Sequence, residues 1–128
     1  MNFGVFIWLH NDENLIEDVV TSIVKVFPQV VVYDIGSTDN SVSIVKRLGV
    51  KIHQLGKLNG NDYIKFKREL HSNYDYVFNI DGDEVYPENS LLEIKKLVPL
   101  KPKRLSGNWK FLEFRKGDLY VSQSRSKA

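Results

Sequence analysis

Four short apolar runs, each closing on polar residues and each followed by a segment of helical spacing, leave this chain few folds to adopt. The runs are Phe3 to Leu9, Val30 to Tyr33, Val50 to Gln54 and Tyr76 to Ile80. They are too short for helices and rich in β-branched or aromatic residues, and the first two read as buried strands. After the first, Leu15, Ile16, Val19, Val20, Ile23 and Val24 recur at helical spacing behind Asn11-Asp12, which offers an N-cap, and Pro28 ends that segment. Ile44, Val45 and Leu48 follow Ser37, Thr38 or Asp39 as capping residues, with Gly36 free to take positive φ and Gly49 at the C′ position. Asp62 to Ser72 is expected to be helical, with Ile64, Phe66 and Leu70 facing inward. Glu88 to Val98 forms another helix after Pro87, with Leu91, Leu92, Ile94 and Leu97 as its apolar positions. Trp109 to Phe114 and Leu119 to Val121, around Arg115-Lys116-Gly117-Asp118, read as a β-hairpin. The alternation predicts an α/β fold: a mostly parallel sheet with right-handed crossovers, helices on both faces, and a small terminal hairpin.

With 128 residues, one domain is expected, a core over residues 1–100 and a basic hairpin and tail over 101–128. The net charge of +2 conceals an uneven distribution: the first hundred residues sum to −4 and the remainder to +6. That end reads either as a solvated tail or as an anion-binding flap that closes over phosphates. Its basic residues are not interleaved with a stacking platform along a recognisable module, so no nucleic-acid partner is expected. The chain has no cysteine, which excludes disulfides, thiolate metal sites and a cysteine nucleophile. Met1 to Leu9 has neither a basic n-region nor the length of a bilayer span, so the expectation is a cytoplasmic protein without an integral membrane segment.

Polar residues collect where these strands end. His10-Asn11, Asp34 and Asp81-Gly82-Asp83 follow the first, second and fourth strands, the edge at which open α/β sheets bind ligands. Asp81 and Asp83 are hard oxygen donors, and Mg²⁺ or Mn²⁺ needs only one or two carboxylates when phosphate oxygens and water complete its shell. Gly82 lets backbone approach a diphosphate closely, and Glu84 either supports the ligands or caps the next turn.

Taken in order, Asn11-Asp12-Glu13, then Val31 to Asp39, then Asp75 to Glu84 resemble the family 2-like glycosyltransferases of the GT-A, Rossmann-like fold. The resemblance covers roughly residues 3 to 95, the donor-binding half of such enzymes. It implies transfer of a hexose from a nucleoside-diphosphate sugar, UDP-linked and possibly UDP-glucose, to an unknown acceptor. It also implies that His10, Asn11, Glu13 and Asp34 line the nucleotide pocket with Lys65, Asp81 and Gly82. Asp83 would hold the cation, with Asp81 acting directly, through water, or on ribose. Two departures are visible: Ile35 stands where the family often has a second Asp, and Lys65-Phe66 is the nearest match to its Arg-Asn pair, with Lys67 and Arg68 close by. Glu113 and Asp118 are the only acids beyond residue 100, and Glu113 is the one offered as catalytic base beside Asp83.

Two other readings compete. A nucleotide-sugar-binding module that hydrolyses or merely holds its donor would need little acceptor pocket, and an oligomer or partner protein could complete a short domain. Asp81-Gly82-Asp83-Glu84-Val85 also resembles the signature of haloacid-dehalogenase-like phosphatases, which place it after the first strand and need a later Lys and acidic pair.

Overall fold

The computed structural model describes residues 3–99 in full, and the backbone alone at 100, 104–106, 110–115 and 118–123. Strands and helices alternate as β1 (Phe3–Leu9), α1 (Ile16–Val26), β2 (Val31–Asp34), α2 (Ser41–Arg47), β3 (Ile52–Gln54), α3 (Gly60–His71), β4 (Tyr76–Asp81) and α4 (Glu88–Leu97). A 3₁₀ turn, Val98–Leu100, then leads to β5 (Arg104–Ser106), β6 (Lys110–Arg115) and β7 (Asp118–Gln123). The first four strands form a parallel sheet in the order β3-β2-β1-β4, and the last three an antiparallel sheet, β5-β6-β7. The expected hairpin is therefore two strands of a three-stranded sheet, and β7 lies against β4.

The chain steps outward from β1 to β2 to β3, then returns to place β4 on the other side of β1. Right-handed crossovers in opposite directions put their helices on opposite faces. Accordingly Val5, Ile7 and Leu9 of β1 pack with Ile16, Val19, Val20 and Ile23 of α1, Val45 of α2, and Leu91 and Ile94 of α4. Phe6 and Trp8 face the other way, with Tyr33 and Val77, and are covered by Tyr63, Phe66 and Leu70 of α3. Burial on both faces accounts for the unbroken apolar run of β1.

The α3 face is aromatic. Trp8 stacks on Tyr33 (5.2 Å between ring centroids) and Tyr33 on His53 (5.2 Å), while Tyr63 and Phe66 meet Trp8 edge-on. Inward positions of α3 are thus Tyr63, Phe66 and Leu70, and Ile64 is 54% exposed instead of inward. Leu92 is likewise exposed, because Leu91 and Ile94 already fill the α4 contact. Asn11-Asp12 does not cap α1 through a side chain: the cap residue is Leu15, and the Asp12 carbonyl accepts from Leu15 N and Ile16 N (3.0 and 2.8 Å). Gly49 does take positive φ (78°) just beyond α2.

Removing side-chain volume from the α1 contact should be costly and changing the outer face of α4 should not be. Ile23→Ala is expected to lower unfolding free energy by about 3 kcal/mol, and Leu92→Ser to change it by less than about 0.5 kcal/mol, both read from urea denaturation.

Candidate active site

Two loops at the carboxyl edge of the sheet are tied together residue by residue. Asn11 adopts positive φ (54°), a conformation asparagine tolerates better than most residues. Its side-chain oxygen accepts from Thr38 N (2.7 Å) and Asp39 N (3.3 Å), and its own N–H donates to Ser37 Oγ (2.9 Å). Asp12 N donates to Ser41 Oγ (2.8 Å), Glu13 N to Asp39 Oδ2 (3.2 Å), and Asn40 N to Glu13 Oε1 (3.0 Å). His10 Nδ1 lies 3.1 Å from the Ile35 carbonyl, which can only accept, so this nitrogen carries the proton. Asn11 and Glu13 thus hold the loop that follows β2. Asp34, 2% exposed at the end of that strand, accepts from Ser37 N (3.2 Å).

Gly36 needs to be glycine for two reasons: φ is +91°, and a Cβ would lie 3.1 Å from the Lys57 Cα. Lys57 belongs to the β3–α3 connection, so this close approach brings a third loop against the edge.

The Asp-Gly-Asp element continues β4. Gly82 N donates to the Trp8 carbonyl (2.9 Å), extending the ladder with β1. Glu84 closes the turn: its N–H donates to the Asp81 carbonyl (3.0 Å) and its Oε1 accepts from Asp81 N (2.9 Å). Asp81 and Asp83 are exposed on either side of buried Gly82. Gly82 is not in the left-handed region, and the structure supplies a steric reason for glycine there. A Cβ would sit 2.9 Å from Cγ of Asp12 and closer still to its Oδ2. That carboxylate is fixed, since Oδ2 accepts from His10 N (2.9 Å). Burial raises Asp12 above the ordinary carboxylate pKa, and the charges of Asp83 and Asp39 push the same way.

A single lysine faces this acidic edge from α3. Lys67 Nζ stands over the rings of Trp8 (5.1 Å to the centroid) and Tyr63 (4.9 Å). Burial lowers its pKa and the charge of Asp81 opposes that shift. Tyr63 is pushed up to about 12, by burial first and by Asp81 second. Lys65 points elsewhere, into a groove of about 290 Å³ lined by Leu55, Leu58, Asp62, Phe66 and Glu69. Glu113 falls on β6, whose side chains lie outside the described residues, as does the tail at 124–128.

The structure therefore brings together His10, Asn11, Glu13, Asp34, Asp81, Gly82 and Asp83 at one edge, and leaves Lys65 apart. Sequence reasoning passed over Asp12 and Lys67 as site residues. The signal for Lys67 was present: Tyr63, Phe66, Lys67 and Leu70 are spaced i, i+3, i+4, i+7, the inward stripe of α3. Asp12 carried no comparable signal, because its place against Gly82 depends on the β1–β4 pairing.

Among the described residues no three His, Cys, Asp or Glu converge as a cage for a metal. Asp81 and Asp83 nevertheless suit a cation shared with a phosphorylated ligand: they are paired hard oxygen donors, exposed beside a third carboxylate whose own charge is disfavoured.

A sheet of order β3-β2-β1-β4 with carboxylates at its switch point is Rossmann-like, and its likeness to solved glycosyltransferases makes it a GT-A fold. The model for glycosyl transferase family 2 matches residues 4–105, and the chain belongs to that family. Glucosyl-3-phosphoglycerate synthase from Mycobacterium tuberculosis, in complex with UDP, is a similar solved structure, with 25% identity and a TM-score of 0.58 over 77% of this chain and 39% of that one. The same synthase with Mn²⁺, UDP and glucosyl-3-phosphoglycerate aligns at 23% identity, TM-score 0.60, over 84% of this chain and 40% of that one. S. aureus TarS 1–349 aligns at 23% identity, TM-score 0.61, over 78% and 33%. The chain spans 33% to 40% of the length of these structures. No curated protein sequence matches it. Among the described residues no helix is long and apolar enough to cross a membrane.

Two measurements probe this geometry. Gly82→Ala should cost about 1 to 3 kcal/mol of stability by displacing the Asp12 carboxylate, and pairing it with Asp12→Ala should recover at least about 1 kcal/mol as a coupling energy; zero coupling would mean the carboxylate is not the obstacle. The second concerns His71, which is 2% exposed with Nε2 3.2 Å from Asn79 Oδ1, the oxygen that also accepts from Trp8 Nε1 (2.9 Å). An indole N–H only donates, so this oxygen is an acceptor and His71 Nε2 must donate to it. Burial holds His71 below the ordinary histidine value of 6.5, partly offset by that hydrogen bond. The unfolded chain then binds the proton more readily, so this contribution to stability is present above about pH 6.5 and is lost as pH falls below it. Unfolding free energy between pH 7.5 and 5.5 should fall more steeply in the native chain than in His71→Gln.

Proposed function

We propose that the carboxyl edge of this sheet binds a nucleoside-diphosphate sugar, with UDP as the nucleotide, and that the chain is the donor half of a glycosyltransferase that passes a hexose to an acceptor. The observation that carries this reading is the pair Asp34 and Asp81 on the two strands flanking β1: Leu9 is in register with Asp34, and Trp8 with Asp81. The family match and the UDP bound in the mycobacterial synthase support it. Asp-x-Asp follows β4, the fourth strand of the fold, which is not where a haloacid-dehalogenase-like phosphatase places its signature.

In this reading Asp34 and the loop held by Asn11 and Glu13 receive the base and ribose, and Asp81 and Asp83 face the diphosphate. Asp81 and Asp83, together with phosphate oxygens, would hold Mn²⁺ or Mg²⁺, which would supply Lewis acidity for a diphosphate leaving group. Lys67 contributes a fixed positive charge at the same edge, held over two aromatic rings and needing no reorganisation as negative charge develops. The Asp12 carboxylate lies close beside Gly82, leaving no room for a side chain there. Glu113, on β6, is assigned the acceptor-side base.

A thermal-shift series with UDP-sugars and Mn²⁺ tests the reading, since at a hundredfold excess over Kd a ligand adds about 2.7 kcal/mol of stability. Asp83→Ala should abolish the Mn²⁺-dependent part of the shift, Lys67→Ala should weaken UDP at least about tenfold while leaving uridine nearly unchanged, and Glu113→Gln should lower kcat without altering donor affinity. No shift with any UDP-sugar would overturn the reading, and a shift without donor consumption would leave a binding module.

A further inference from the structure

Helix α3 separates two environments of opposite charge balance. On the flank toward the β3–α3 loop, Lys65 lies between Asp62 (i−3) and Glu69 (i+4), acids at helical spacing that offset its charge. On the other flank, Ile64, Lys67, Arg68 and His71 line a cavity of about 200 Å³. No acid stands three or four residues from Lys67 or Arg68 along the helix. Exposed Arg68 makes no ion pair among the described residues, and the cavity's described lining includes no carboxylate. Lys67 belongs both to this cavity and to the edge it shares with Asp81, so the cavity adjoins the donor site.

We propose that this cavity holds the anionic group of the glycosyl acceptor, a phosphate or carboxylate carried by a small hydroxylated molecule. The inference rests on the donor reading above only for the word acceptor. Arg68 supplies the planar fork that matches an oxyanion, as a lysine does not. Ile64, 54% exposed at the rim and outside both core clusters of the described residues, supplies an apolar wall for the ligand's carbon chain. Lys67, between the two anions, draws the acceptor hydroxyl toward the donor diphosphate and screens their mutual repulsion. Two anions must otherwise approach each other for transfer to occur, so a cation shared between their sites is what the chemistry requires.

The probe is glycerol 3-phosphate, with inorganic phosphate and plain glycerol as controls, followed by ¹H–¹⁵N NMR of the full chain with and without UDP and Mg²⁺. Saturable shifts over residues 64–71 are expected with glycerol 3-phosphate, weaker ones with phosphate, and none with glycerol. Arg68→Ala should weaken glycerol 3-phosphate at least about tenfold and change UDP affinity by less than about twofold; exposed Arg68 can be replaced without disturbing the core, and Arg68→Gln provides a bulk-matched second variant. Excess UDP with Mg²⁺ should not displace the probe. Displacement by UDP, binding that is indifferent to both variants, or no binding at all would overturn the proposal. Probe binding that depends on Arg68 in a chain that binds no UDP would support the anion site and overturn the donor reading alone.

Discussion

The pairing of β1 with β2 on one side and β4 on the other is the constraint from which the rest of the edge follows. Because the chain leaves β1 toward β2 and β3 and returns to place β4 on the other side, the loops after β1, β2 and β4 share one carboxyl edge, with α1 and α4 both packed on the aliphatic face. The register then places Asp34 and Asp81 beside the last residues of β1. A one-residue slip would also reverse the faces, exchanging Phe6 and Trp8 for Val5, Ile7 and Leu9. The aliphatic α1 layer and the aromatic α3 layer are so different in shape that this register is strongly specified, and the positions of the carboxylates are specified with it.

Precision at the edge comes from hydrogen bonds rather than from burial. Asn11 and Glu13 satisfy backbone N–H groups of the loop after β2, while Asp39 and Ser41 satisfy those of the loop after β1. The exchange couples the two loops through reciprocal hydrogen bonds. The Asp12 carboxylate, held by His10 N, fills the space beside Gly82, so the turn after β4 lies against the same unit. Three connections distant in sequence thereby act as one surface.

The alternation of strands and helices, a parallel sheet covered on both faces, and most of the acidic edge were legible from residue patterns, because burial on both faces writes continuous apolar runs and because strand ends in this topology share an edge. The failures have physical causes. Ile64 looked like a core residue by composition, yet the helical stripe through Tyr63, Phe66 and Leu70 already covers the sheet and leaves Ile64 outside it. Lys67 was overlooked for Lys65 because a charged residue is normally read as solvent-facing, whereas its ammonium group stands over aromatic rings within the field of Asp81. Asp12 was illegible for a different reason: its role arises from Gly82, seventy residues away, which only the folded register reveals.

Lys67 links these layers. An ammonium group half-buried on α3 would be disfavoured on its own, as its lowered pKa records, and it is retained where Asp81 and the faces of Trp8 and Tyr63 compensate for lost water. The same Trp8 is held in place by Asn79, which also binds His71, and His71 lines the cavity with Arg68. The indole therefore lies under the donor-facing lysine and, through Asn79, is linked to His71 of the cation-lined cavity. A change that rotates Trp8 would disturb both sites together, whereas a change at Arg68 reaches only one, and this asymmetry separates the positioning of charge in this fold from the binding that charge performs.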